Sequence, residues 1–240
     1  MTAASVWSDP KLTWYLTRSF GVVLLVLLTV VTVLGTVLAA RPASRRMPAF
    51  VVTDLHRRLS VLVLVLLAGH IAVSVADSYV TITWLDAVVP FVTTYRPLWT
   101  GLGTLACDVL LLVAVTSALR HRMSLRAWRA VHVTAYAMWP LAVLHTLGDG
   151  SDVRSGWLLL LTAACVVAVL VAGWWRLSRI EAFAGRVRMA TVVAVPVAVV
   201  LVVAWAWTGP LAPGWAGRAG TPPAPSTTPP AAAAGAGATR

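Results

Sequence analysis

Six apolar runs dominate this chain, at about residues 19–39, 51–76, 98–119, 128–148, 156–175 and 189–208. Each approaches or exceeds the roughly 20 residues that a helix rising 1.5 Å per residue needs to cross a ~30 Å hydrocarbon core. With 59% hydrophobic and 11% charged residues and a mean hydropathy of +0.84, the composition excludes an ordinary soluble globule. The expected fold class is all-α integral membrane: a six-transmembrane-helix bundle over residues 14–208, with a short extracytoplasmic segment at 1–13. The first run has the length of a full span and no small-residue cleavage site after it, so it is expected to stay as an anchor.

Charge sets the expected orientation. Arg41, Arg45, Arg46, Arg57 and Arg58 cluster between runs one and two and in the first turns of run two, Arg120, Arg122, Arg126 and Arg129 between three and four and at the start of run four, and Arg176, Arg179, Arg186 and Arg188 between five and six. Short arginine-rich connections stay in the cytoplasm, whereas the alternate connections carry Asp77, Asp86, Asp149 and Asp152 against Arg96 and Arg154. Both termini are therefore expected outside a cell membrane. Tryptophans such as Trp14, Trp84, Trp99, Trp128, Trp157 and Trp207 fall near the expected interfaces, where amphipathic rings settle. The net charge of +11 is a topology signal, since nucleic-acid binding would need the arginines gathered on one soluble face.

Inside these runs lie four histidines in two spaced pairs, His56 with His70 and His132 with His145. An ionisable residue within a membrane is costly and marks function by default. The pairs are separated by about 21 Å and about 19.5 Å along their helices. Runs two and four start on the same side, so His56 can face His132 at one depth and His70 can face His145 at the other. At about 100° per residue, fourteen steps end about 40° short of whole turns and thirteen end about 140° short. An ideal fourth helix would misdirect one ring. Pro140, between His132 and His145, is one device that could kink or rewind it. Two stacked haems, each held by two imidazoles, satisfy the depths, and irons without an open position pass electrons rather than bind substrate.

The stretches DLHRRLSVLVLVLLAGHIAV and AWRAVHVTAYAMWPLAVLHTL closely resemble the transmembrane domain shared by ferric reductases and NADPH oxidases, over roughly residues 14–180. The resemblance implies two b-type haems with His56, His70, His132 and His145 as axial ligands to haem iron. The second stretch is also similar to the haem-binding membrane subunit of bacterial periplasmic methionine sulfoxide reductase.

Unlike the long members of that family, the chain has no G-x-G-x-x-G after a strand, so it offers no flavin or nicotinamide site. Electrons are expected from a separate flavoprotein reductase or a membrane quinol, and an extracytoplasmic acceptor, ferric iron or a redox protein, is expected to take them. The chain is then an oxidoreductase of ferric reductase-like type or its electron-transfer subunit. Cys107 and Cys165 stand singly in runs three and five, which gives neither a disulfide framework nor a zinc pattern. From Gly209 the composition turns to Pro, Ala, Gly and Thr, so 209–240 is expected to be a disordered, Pro/Ala-rich extracytoplasmic tail.

Asp108, about halfway along run three, is expected to face the bundle interior, as a haem-tuning or proton-relay group or as a protonated acid bonded to a neighbouring helix. Arg57 and Arg58 near one boundary, and Arg18 and Arg96 near the other, are cations available to haem propionates. His121 reads as a solvated loop residue. A rival function is a haem-free membrane transporter or scaffold whose histidines bind metal or protons, although the separations within each helix are too long for one metal site.

Overall fold

The computed structural model describes residues 10–40, 48–78, 80–150, 152–178, 197 and 200–222. All regular structure among them is helical: α1 (Pro10–Ala39), α2 (Ala49–Ala76), α3 (Pro97–Ala118), α4 (Leu125–His132), α5 (Ala135–Asp149), α6 (Gly156–Ser178), helical residues 200–208 (α7) and the short α8 (Trp215–Arg218). Four helices, α1, α2, α3 and α6, are long and apolar enough to cross a membrane. Pro97 opens α3 at a position whose missing N–H has no helical partner to lose, and Ser124 caps α4 by accepting from the Ala127 N–H at 3.2 Å.

The expected fourth span is not one uniform helix. It divides into α4, whose Arg126 and Arg129 are exposed, and the apolar α5. Between them the ladder tightens to three-residue steps, with Thr134 N–H donating to Val131 at 3.0 Å, Tyr136 to Val133 at 3.1 Å and Ala137 to Thr134 at 2.8 Å. Half of the expected sixth span, 189–208, lies outside the described residues; its residues 197 and 200–208 are helical.

Helix α1 is the spine. It packs along α2 on one side and against α5 and α6 on the other, while α3 packs along α5. The core between them gathers Leu24, Leu25 and Leu28, Val63, Ala106, Met138, Trp139, Val143 and Cys165. One buried polar contact crosses it, from Trp139 Nε1 to Thr29 Oγ1 at 3.0 Å. Gly69 lets α2 close onto Phe20, where an added Cβ would come within 3.2 Å of the ring, the close approach that small residues give to membrane helices.

Residues 209–222 of the expected disordered tail are ordered. Residues 209–222 turn back over the ends of α3 and α5: the Trp215 ring packs on Trp99 and Trp205, Trp215 Nε1 donates to the Gly148 carbonyl at 3.0 Å, and the Arg96 N–H donates to the Gly220 carbonyl at 3.1 Å. One aromatic anchor and two hydrogen bonds hold a Pro/Gly-rich segment that its composition alone would leave loose. Residues 223–240 lie outside the described residues.

Candidate functional site

All four membrane histidines turn Nδ1 onto the protein. His56 Nδ1 lies 3.1 Å from the Val31 carbonyl oxygen, His70 Nδ1 3.1 Å from that of Thr17, and His145 Nδ1 2.9 Å from that of Trp99. A carbonyl only accepts, so in these three rings Nδ1 carries the proton and Nε2 keeps its lone pair. His132 Nδ1 lies 3.4 Å from Ser117 Oγ. A second ring nitrogen held this way fixes the tautomer and aim of a metal-binding imidazole.

The three carbonyls are already bonded within their helices, and what makes them reachable is the residue four positions on. Cβ atoms tilt toward a helix's N-terminus, so the side chain at i+4 shields the carbonyl at i. Here that residue is glycine each time: Gly21 follows Thr17, Gly35 follows Val31 and Gly103 follows Trp99. A Cβ would stand 3.7 Å from the His70 ring at Gly21, 3.3 Å from the His56 ring at Gly35 and 2.6 Å from the His145 ring at Gly103. On α1 the two carbonyls and the two glycines repeat at fourteen residues, the spacing of His56 and His70 on α2, so two antiparallel helices stay in register over both contacts. Sequence reasoning found the histidines and missed these glycines; the shared fourteen-residue interval in runs one and two was the available signal.

The ring centroids of His56 and His132 are 6.4 Å apart with planes at 68°. Two imidazoles on opposite sides of one metal, each with a metal–nitrogen bond of about 2.0–2.1 Å, need centroids roughly 6 Å apart. His70 and His145 line a cavity of about 700 Å³ walled by α1, α2, α3, α5 and residues 80–87, a volume within the range of cofactor pockets. Its surface is mainly apolar, and Thr17 Oγ1, buried without a hydrogen-bond partner among the described residues, belongs to its wall. Two-imidazole sites leave the equatorial positions of a metal to a macrocycle, and glycine-cradled rings beside a large apolar cavity fit haem.

The tightened turn changes the relative aim of the two rings on α4 and α5. Each residue at about 120° in place of about 100° adds about 20°, so the three tightened steps recover about 60° of the roughly 140° shortfall. The rewinding runs from Val131 to Ala137, in the turn ahead of Pro140 rather than at the proline itself.

The arginines separate clearly. Arg18 lines the cavity, pairs with Asp152 and stacks over Trp14 at 3.9 Å. Arg96 is buried and committed to the fold: Nη1 donates to the carbonyls of Gly148 at 3.1 Å and Asp149 at 2.8 Å, and Nε to Thr221 Oγ1 at 2.8 Å. The expectation that it is available to a propionate is therefore corrected, because helix-end carbonyls occupy it. Arg57 and Arg58 are exposed, and Arg58 pairs with Asp54 at 2.6 Å. Asp108 is partly buried on α3 beside buried Cys107 and is not among the residues that line the cavity. His121 is exposed in the turn Arg120–Arg122. Asp149 Oδ2 lies 4.0 Å from His145 Nδ1.

Among the described residues no three His, Cys, Asp or Glu side chains converge as a metal site. No known protein family, curated protein or solved structure matches the chain.

Proposed function

We propose that the chain is a transmembrane electron carrier holding two b-type haems, one between His56 and His132 and one between His70 and His145. The observation that carries this reading is the set of four Nδ1 contacts: the carbonyls leave the Nε2 lone pairs of His56, His70 and His145 for coordination, and Ser117 Oγ leaves that of His132 when it accepts from Nδ1–H. The haems, when bound, supply one-electron chemistry at potentials set by axial ligands and burial. The protein's part is to aim the imidazoles through α1 and α3, keep lipid and water off the second pair, and place a cation, Arg18, at that cavity's wall.

In this reading the bundle has six spans with both termini extracytoplasmic, and electrons pass from a cytoplasmic flavoprotein or a membrane quinol through the His56–His132 level to the His70–His145 level. The resemblance to ferric reductases favours ferric iron as acceptor, with an extracytoplasmic redox protein as the other candidate. Purified protein is expected to show a reduced-minus-oxidised b-type spectrum with two haems per chain. Haem-free protein would overturn the proposal, and zinc or copper in place of iron would favour a transporter. Mixing dithionite-reduced protein with ferric chelate or quinone identifies the acceptor by which one reoxidises the haems fastest.

A further inference from the structure

His132 is held differently from its three counterparts. Its Nδ1 meets a hydroxyl, Ser117 Oγ at 3.4 Å, where the others meet backbone carbonyls at 2.9–3.1 Å. The same hydroxyl accepts from Trp128 Nε1, also at 3.4 Å. The Trp128 indole lies against the His132 ring at 4.8 Å and 25°, one helical turn earlier on α4, and its ring is approached by the Arg120 guanidinium at 4.8 Å. Arg120, Trp128, His132 and Ser117 thus form one stacked and hydrogen-bonded unit. No other membrane histidine here has an aromatic ring stacked on it among the described contacts.

For Nε2 of His132 to coordinate, Nδ1 must carry the proton and donate to Ser117 Oγ. That oxygen then receives two N–H donors, the indole's and the imidazole's. A hydroxyl at 3.4 Å that the indole also engages draws less on the imidazole proton than a helix carbonyl at 2.9–3.1 Å does, so the ring is less basic and donates less density to a metal. Arg120 adds positive charge over the indole, which also disfavours an oxidised, more positive iron.

Building on the two-haem reading, we infer that Trp128 is a positioning residue that holds Ser117 as a shared acceptor and thereby sets the His56–His132 haem at a higher reduction potential than the His70–His145 haem. An electron entering at the first level then rests there until the second level has an acceptor to feed.

The test is a redox titration of the full-length protein in membranes, with the first-level couple assigned as the one missing in His132→Ala. Trp128→Phe keeps the stacked ring and removes the indole N–H; it is expected to lower the first-level potential, because Ser117 becomes free for His132. Ser117→Ala removes the acceptor and is expected to raise it. The second-level couple should stay fixed in both. Unchanged potentials, or equal shifts of both couples, overturn the inference while leaving two-haem protein intact; absence of haem in the wild type overturns the underlying reading instead. If Trp128→Phe fails to fold, Ser117→Ala decides alone, an unshifted first-level couple being the overturning result.

Discussion

His145 Nδ1 stands 2.9 Å from the carbonyl oxygen of Trp99, and the same Trp99 ring packs at 5.0 Å on Trp205 and 5.3 Å on Trp215. The carbonyl that aims one imidazole is therefore fixed from behind by an aromatic cluster drawn from three parts of the chain.

His70→Ala is expected to remove the haem of the second level and largely spare the first, since the His56 contact to Val31 lies fourteen residues further along α1. Haem quantification should fall to about half, with a b-type spectrum remaining; loss of both haems would show that the two levels are not independent.

The three glycines should respond in order of their clearance. Gly103→Ala forces the His145 ring from a Cβ at 2.6 Å, Gly35→Ala presses on His56 at 3.3 Å, and Gly21→Ala makes ordinary contact with His70 at 3.7 Å. Overpacking of the first kind costs about 1–3 kcal/mol. Haem retention after purification is expected to fall steeply for Gly103→Ala, modestly for Gly35→Ala and little for Gly21→Ala.

Arg96→Ala removes three side-chain hydrogen bonds and leaves the Asp149 carbonyl without its arginine donor, while Trp215 still serves Gly148. Leaving buried acceptors unpaired costs about 1–3 kcal/mol each. A lowered thermal midpoint in detergent and faster proteolysis after residue 208 are the expected outcomes, because residues 209–222 lose their attachment.

Thr29→Val deletes the acceptor of the buried Trp139 indole. Side-chain hydrogen bonds between membrane helices average about 0.6 kcal/mol and reach about 1.7, so a small fall in thermal midpoint with unchanged haem content is expected. A large loss of haem would instead place Trp139 in the site.

Helical character, runs long and apolar enough to cross a membrane, and the matched spacing of the four histidines were legible because each depends on residue chemistry and distance along one helix. What was not legible depends on neighbouring helices. Pro140 attracted the rewinding because proline is a visible breaker, yet hydrogen bonds chosen by Val131, Val133 and Thr134 carry it. Arg18 and Arg96 look alike in sequence, and only packing sends one to a cavity and the other to carbonyls of a helix end. Asp108 follows the same rule: its position along α3 was readable, the side of the helix it shares with no cavity was not. For 209–222, proline and glycine content concealed a docking tryptophan.

Helix α1 contributes no membrane histidine, yet Thr17 and Val31 on it hold both rings of α2. It works as a ruler. One residue inserted between those carbonyls would swing one of them by about 100° and shift it by about 1.5 Å, so the vertical distance between the two levels belongs to a helix that carries none of the four rings, and its length there can change only if α2 changes with it.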